Sequence, residues 1–282
     1  MTFGSRLAAA VGRFGSLCVG IDPHPSLLAA WGLPDTPAGL DTFSETVLEA
    51  VAGSVAVVKP QVALFERHGS RGMAVLERLL KHSTAAGVLT IADAKRGDIG
   101  STMAGYADAW LRDGSALAAD ALTLSPYLGF ESLRPALTAA SETGRGVFVL
   151  ALTSNPEGAS VQHVGGEDSV ARRIVQAAAA ENDGGTPGSV GLVIGATAGA
   201  AVRRLGLDLG TLNGPILAPG VGAQGAGRQE LLETFAGASG VILPNSSREI
   251  LSSGPDAARL RQAVATAQRA VDLSGVAEPG TD

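Results

Sequence analysis

Eight short apolar runs, each followed by a loop and then a stretch of helical periodicity, constrain this chain more than any other feature. They are Leu17-Cys18-Val19-Gly20-Ile21, Val55-Ala56-Val57-Val58, Val88-Leu89-Thr90-Ile91-Ala92, Ala121-Leu122-Thr123-Leu124, Val147-Phe148-Val149-Leu150-Ala151, Val190-Gly191-Leu192-Val193-Ile194, Ile216-Leu217-Ala218 and Gly240-Val241-Ile242-Leu243. Continuous, β-branched-rich runs of this length suit strands buried on both faces. Eight strand–helix units of roughly 25 to 40 residues each predict an α/β fold, a single-domain (β/α)8 TIM barrel. A doubly wound open sheet is the alternative for the same alternation.

Amphipathic helices fill the intervals. Thr42 with Glu45 reads as a capping box ahead of an apolar face made by Phe43, Val47, Leu48 and Val51. Met73, Leu76, Leu79 and Leu80 repeat the pattern, and Gly87 stands just past that helix. Ile99, Met103 and Trp110 mark the next, then Leu133 and Leu137, Ile174 and Val175, Leu231, Leu232 and Phe235, and a closing helix with Leu260 and Val264. Asn182 to Gly188 reads as a surface loop. The barrel is expected to occupy residues 1–273, with 274–282 a disordered tail.

Composition narrows the function. With 45% apolar residues, 17% charged residues and 38 glycines in 282 residues, the chain can bury a large core and is not of disordered type. The net charge of −6 disfavours nucleic acid as a partner. Any small anionic ligand therefore needs a local cluster of cations and backbone N–H groups. The single cysteine, Cys18, excludes an intrachain disulfide and fits a reducing cytoplasm; it lies in an apolar run and reads as core. No run has membrane-spanning character and the N-terminus lacks a signal-peptide layout, so no membrane partner is expected.

Barrel chemistry sits where strands end and βα loops begin. Polar residues crowd that end here: Asp22 after the first run, Lys59 after the second, and Asp93, Lys95 and Asp98 after the third. Asp93 and Lys95, two apart, point to the same side, and Lys59 ends the neighbouring strand about 5 Å away. The expected result is an alternating Lys59–Asp93–Lys95–Asp98 array. Alternation keeps every member charged. A protonated lysine beside a reacting carbon can donate a proton and stabilise developing negative charge. The bland reading is a rim salt-bridge network. Arg96-Gly97-Asp98 also spells an adhesion tripeptide, discounted because it lies at a strand–helix junction.

The glycine-rich stretch Pro219 to Gly227 follows the seventh run, and Arg248 follows the eighth. Loops in these two places form the usual barrel phosphate site, with glycine letting backbone N–H groups reach oxygen and arginine adding a bidentate clamp. Asp22 can accept bonds from sugar hydroxyls or cap the turn before Pro23. Ser154 can reach a ligand ring or serve the turn before Asn155-Pro156. His24, His68, His82 and His163 are scattered without metal spacing, and no serine elbow is present. His68 and His82 read as surface residues; His163 has no assignment.

These motifs bear a resemblance. Ala92-Asp93-Ala94-Lys95-Arg96-Gly97-Asp98-Ile99-Gly100-Ser101-Thr102 resembles the signature of the orotidine 5′-phosphate decarboxylases of the bacterial type 2 branch. So do Lys59-Pro60-Gln61, Leu124 to Gly129, Thr153 to Pro156 and Ala218 to Gly222, and the likeness spans about residues 15 to 265. It implies loss of CO2 from orotidine 5′-phosphate to give UMP, the last step of de novo UMP synthesis, without metal or other cofactor. Carried over, Lys95 is the proton donor to C6, Asp93 lies beside the departing carboxylate, and Lys59 orders the array and contacts ribose. Asp22 binds a ribose hydroxyl, Ser154 and Gln224 cover the pyrimidine and the closing phosphate loop, and Pro219, Gly220, Gly222 and Arg248 belong to the phosphate site. Asp98 and Thr102 enter the neighbouring subunit's site, which implies a homodimer with shared active sites. Two other readings compete. A related Mg2+-dependent sugar-phosphate decarboxylase or aldolase would carry an acidic ligand where Lys59 stands, and a non-catalytic nucleotide-binding barrel would carry a catalytic defect.

Overall fold

The computed structural model describes residues 1–184, 186–222 and 225–273. The expected tail at 274–282 and Gln224 lie outside the described residues. Helix α1 (Phe3–Phe14) comes first, and eight parallel strands follow. β1 (Cys18–Ile21) leads to α2 (Pro25–Ala30) and α3 (Pro37–Val51). β2 (Val57–Pro60) leads to α4 (Ala63–Glu66) and α5 (Gly69–Ala85). β3 (Leu89–Arg96) leads to α6 (Gly100–Leu111), and β4 (Ala121–Leu124) to α7 (Arg134–Thr143). β5 (Gly146–Leu152) leads to α8 (Ala159–Gln162) and α9 (Val170–Glu181), and β6 (Val190–Ile194) to α10 (Gly199–Arg204). β7 (Ile216–Pro219) leads to α11 (Arg228–Thr234), and β8 (Ile242–Ser246) to α12 (Arg248–Leu251) and α13 (Ala257–Ala270). The sheet closes in the order β1 to β8, with β8 pairing back onto β1 through Cys18↔Asn245 and Val19↔Ser246. Closure excludes the doubly wound alternative.

The alternation of side chains along each strand divides the core in two. One set, including Val19, Ile21, Val58, Ala92, Leu122 and Val149, packs outward against the helices. The other, including Cys18, Val57, Ile91, Ala121, Phe148, Leu217 and Leu243, fills the barrel interior. Helix α1 closes the lower mouth by inserting Phe3 and Leu7 into this second set. Phe3 meets Phe148 edge-on at 6.0 Å, and a Cβ on Gly146 would stand only 2.2 Å from the Phe3 ring. The barrel interior is thereby plugged from below by Phe3 and Leu7.

Four local readings change. Thr42 is not a cap: α3 starts earlier, with Thr36 accepting from Gly39 N and Pro37 in the first turn, so Thr42 is mid-helix and bonds Ala38 O. Pro37 suits the first helical turn, where its missing N–H costs nothing. Ile99 precedes α6 and is 61% exposed, whereas Met103 and Trp110 are buried. Asn182 is buried rather than part of a surface loop, because its side chain bonds Val190 N, Val190 O and Leu212 O, replacing missing backbone partners. His82 is half-exposed and bonds Glu45, but only 11% of the His68 side chain is exposed, against Asp35.

Candidate active site

The upper mouth holds a cavity of about 260 Å3 walled by Asp22, Lys59, Gln61, Asp93, Lys95, Thr153, Pro219, Gly220, Asn245, Ser247 and Arg248 over an apolar floor of Leu150, Val193 and Leu217. Seven of the eight strands or the loops that follow them contribute side chains to it. An apolar floor beneath a few converging polar groups is what a small-molecule site requires.

Asp93 is its centre. Lys59 Nζ donates to Asp93 Oδ2 at 2.8 Å and Gln61 Nε2 to the same oxygen at 3.0 Å. Lys95 Nζ donates to Oδ1 at 2.5 Å and Thr123 Oγ1 to the same oxygen at 3.0 Å. The carboxylate, 8% exposed, is thus held by donors on both oxygens and cannot rotate without breaking a bond to a cation. Burial pushes the Asp93 carboxyl up, but the ammoniums of Lys59 and Lys95 outweigh it and hold the group well below the usual carboxylate range. Burial likewise pulls Lys59 down, while Asp93 and Asp22 more than restore it and leave it above the usual lysine range. The lysine–carboxylate–lysine part of the array therefore exists, with Asp93 ionised and Lys59 protonated at neutral pH.

The way β3 presents Lys95 differs from a regular strand. Its register against β4 shifts between Ala92 and Arg96, and Lys95 has φ +48°, in the left-handed region. Thr123 Oγ1 accepts from Lys95 N at 2.9 Å, so the hydroxyl that donates to Asp93 also fixes the backbone of Lys95. Neither Thr123 nor Gln61 was assigned a role from sequence. Their signals were present: Thr123 is the polar residue of an apolar strand, and Gln61 lies two residues beyond Lys59 along the chain.

Asp22 lines the cavity with its Oδ1 buried and without a partner, and Ser247 Oγ is in the same condition. Buried polar atoms without partners carry a cost that a ligand's hydroxyls can remove. Gly220, with φ +101°, and Pro219 bring the backbone after β7 to the cavity, and Arg248 reaches it from the start of α12. Gly222 stands just outside the wall; its φ is +72° and a Cβ there would fall 1.7 Å from Glu249 Oε2. Asp98 and Thr102 are also outside the wall, before and in the first turn of α6, with Asp98 Oδ1 accepting from Ile99 N. Ser154 is exposed on the loop after β5. His163 lies on that loop and its Nδ1 is 3.0 Å from Arg204 Nη2, away from the cavity. Cys18 is buried in the core and its thiol is pushed up to about 12 by burial. Among the described residues, no group of three or more His, Cys, Asp and Glu could hold a metal ion, and no helix is long and apolar enough to cross a membrane.

Comparison with known proteins shows the family. A family described as "Orotidine 5'-phosphate decarboxylase / HUMPS family" matches residues 15–263. A protein named orotidine 5'-phosphate decarboxylase from Streptomyces coelicolor is 56% identical over 264 residues, covering 93% of this chain and 94% of its own. One of the same name from Corynebacterium glutamicum is 50% identical over 281 residues, covering 98% and 99%. A crystal structure of a protein described by that activity from Streptomyces avermitilis superposes with a TM-score of 0.91 at 55% identity, covering 96% of this chain and 94% of that one.

Proposed function

Since this chain belongs to the orotidine 5'-phosphate decarboxylase / HUMPS family, we propose a working mechanism for its reaction, the conversion of orotidine 5'-phosphate to UMP and CO2, with Asp93 held between the ammoniums of Lys59 and Lys95 as the observation that carries it. The bond from C6 of the pyrimidine to its carboxylate breaks, CO2 leaves, and the electron pair stays on C6. No conjugated sink takes that pair, so fixed positive charge has to stabilise it. Lys95 Nζ both stabilises the carbanion and gives it a proton; the neutral amine left behind is reprotonated from solvent. Asp93 stands where the substrate carboxylate departs, and their repulsion is relieved as CO2 forms. Four donors prevent Asp93 from turning away from that repulsion.

Lys59 supplies the second cation and a contact to ribose, and the partnerless Oδ1 of Asp22 takes a ribose hydroxyl. Pro219, Gly220, Gly222 and Arg248 bind phosphate, while Ser154 and Gln224 close over the base and the phosphate loop. Binding energy from phosphate, remote from C6, is then available to close the site. The fourth charge, Asp98, and Thr102 act in the site of a second copy. Three features support this: both lie outside their own cavity, they flank the 61% exposed Ile99, and the adjoining loop after β4 exposes Tyr127 and Leu128 by 81% and 55%. Exposed apolar residues beside polar groups of functional type suit an interface between copies. The catalytic unit on this reading is a homodimer of barrels spanning residues 1–273, working in the cytoplasm on a nucleotide.

The reaction is metal-free on this reading because Lys59, a cation paired to Asp93, fills the β2 position where the Mg2+-dependent rivals need an acid. The test is the spectrophotometric loss of orotidine 5'-phosphate by protein treated with EDTA. Undiminished turnover supports the reading; activity abolished by EDTA and restored by Mg2+ would replace it with the rival.

A further inference from the structure

Lys95 has to be held. Its side chain is 47% exposed, and its backbone occupies a left-handed conformation that a residue with a Cβ adopts only when its surroundings impose it. Thr123 fixes the amide on one side of Lys95. On the other side stands Arg96, whose chemistry the decarboxylation does not use. Its carbonyl accepts from Ser125 N at 2.7 Å, and its Nη1 donates at 3.2 Å to Ala94 O, the carbonyl immediately before Lys95. The Arg96 side chain thus bridges the left-handed residue from one flank to the other.

The guanidinium is itself anchored from two neighbouring elements. Its Nη2 pairs with Glu66 of α4, and its Cζ lies 5.5 Å and 5.7 Å from the ring centroids of Tyr106 and Trp110 on α6. Planar cation–ring contacts at this range orient as well as attract. Its Nε is buried without a partner, so the head group is held through its Nη atoms and the two rings. The head group is positioned for what it does at Ala94.

We propose that Arg96, held by Glu66, Tyr106 and Trp110, is a positioning residue that clamps the left-handed backbone of Lys95 and so aims Nζ at the reacting carbon. The proposal rests on Lys95 being the proton donor. Releasing the clamp lets Lys95 relax toward ordinary backbone geometry, and a left-handed penalty of the usual size corresponds to about a tenfold fall in the poised fraction. The loss falls on the chemical step, since Arg96 does not line the cavity.

The experiment measures kcat and KM for orotidine 5'-phosphate, with thermal midpoints, for Arg96→Met, Arg96→Lys and Glu66→Gln, with Lys95→Ala in parallel. The expected result is a kcat lowered about tenfold or more in Arg96→Met with KM within about twofold, a smaller fall of the same kind in Glu66→Gln, and partial recovery in Arg96→Lys, whose ammonium can still reach Ala94 O. A purely structural Arg96 would lower the midpoint while leaving kcat per folded molecule unchanged, and that result overturns the proposal. So does a loss confined to KM. If Arg96→Met does not fold, Glu66→Gln decides alone by the same kcat criterion. Retained activity in Lys95→Ala would instead sink the proton-donor reading itself.

Discussion

Replacing Asp93 by Asn keeps the volume and removes the one charge that both lysines share. Lys59 is 4% exposed and cannot swing to water, whereas Lys95, 47% exposed, can. The cost therefore concentrates on Lys59. Its ammonium is left buried beside a neutral amide, with only Asp22 as a nearby counter-charge. The amide nitrogen makes matters worse, since both Asp93 oxygens accept from two donors and either orientation sets N–H against donors. Stranding a buried charge costs about 3–5 kcal/mol. Lys59→Met is milder, about 1–3 kcal/mol, because Asp93 keeps Lys95, Gln61 and Thr123. The two changes together should cost less than their sum by about 1–3 kcal/mol. Urea denaturation at neutral pH, without ligand, measures all three. An Asp93→Asn protein within about 1 kcal/mol of wild type, or additive single effects, would show that the pair is not the interdependent unit described here.

The same pair sets a pH window. Asp93 is lowered in the folded state, so its contribution is present above the unfolded carboxyl value of about 4 and is lost as pH falls below it. Lys59 is raised, so its contribution is intact below the unfolded lysine value of about 10.4. The stability gap between wild type and Asp93→Asn should be flat from about pH 5 to 9 and narrow below about pH 4, which urea midpoints across pH will reveal. If Arg248 binds phosphate as proposed, Arg248→Ala should raise KM strongly while leaving measurable turnover, because the change is remote from C6; steady-state kinetics showing an unchanged KM would remove Arg248 from the phosphate site. If Asp98 serves the partner's site, mixing inactive Lys95→Ala and Asp98→Asn subunits should restore about a quarter of wild-type activity, since half the dimers are mixed and each has one intact site. No recovery after verified subunit exchange would place both residues in one site.

The barrel was readable from periodicity because its strands are buried on both faces and their apolar runs are unbroken. The location of the charged cluster was readable too: Lys59, Asp93 and Lys95 lie at the ends of adjacent strands, which places them at one mouth of the barrel. What stayed hidden depended on conformation or on distant partners. An ideal strand would bring Asp93 and Lys95 together by alternation, yet they meet through a register shift and a left-handed residue, and no pattern of residue types announced either. Thr123 looked like one more strand residue, and its two bonds become visible only once β4 lies beside β3. Asn182 looked like loop because its burial comes from the β6 and β7 region, which its own neighbours in sequence do not reveal. Ile99 fitted an apolar helix face by spacing, but α6 begins one residue later and leaves it outside.

The central claim is that Lys95 delivers the proton to C6 and stabilises the carbanion beside a fixed Asp93. It is tested most directly by following the loss of orotidine 5'-phosphate in the ultraviolet with wild-type and Lys95→Ala protein at matched folded concentration, with UMP binding measured as a control for an intact pocket. A turnover lowered by about a thousandfold or more with UMP still bound is the predicted result. Turnover by Lys95→Ala close to the wild-type rate would contradict it.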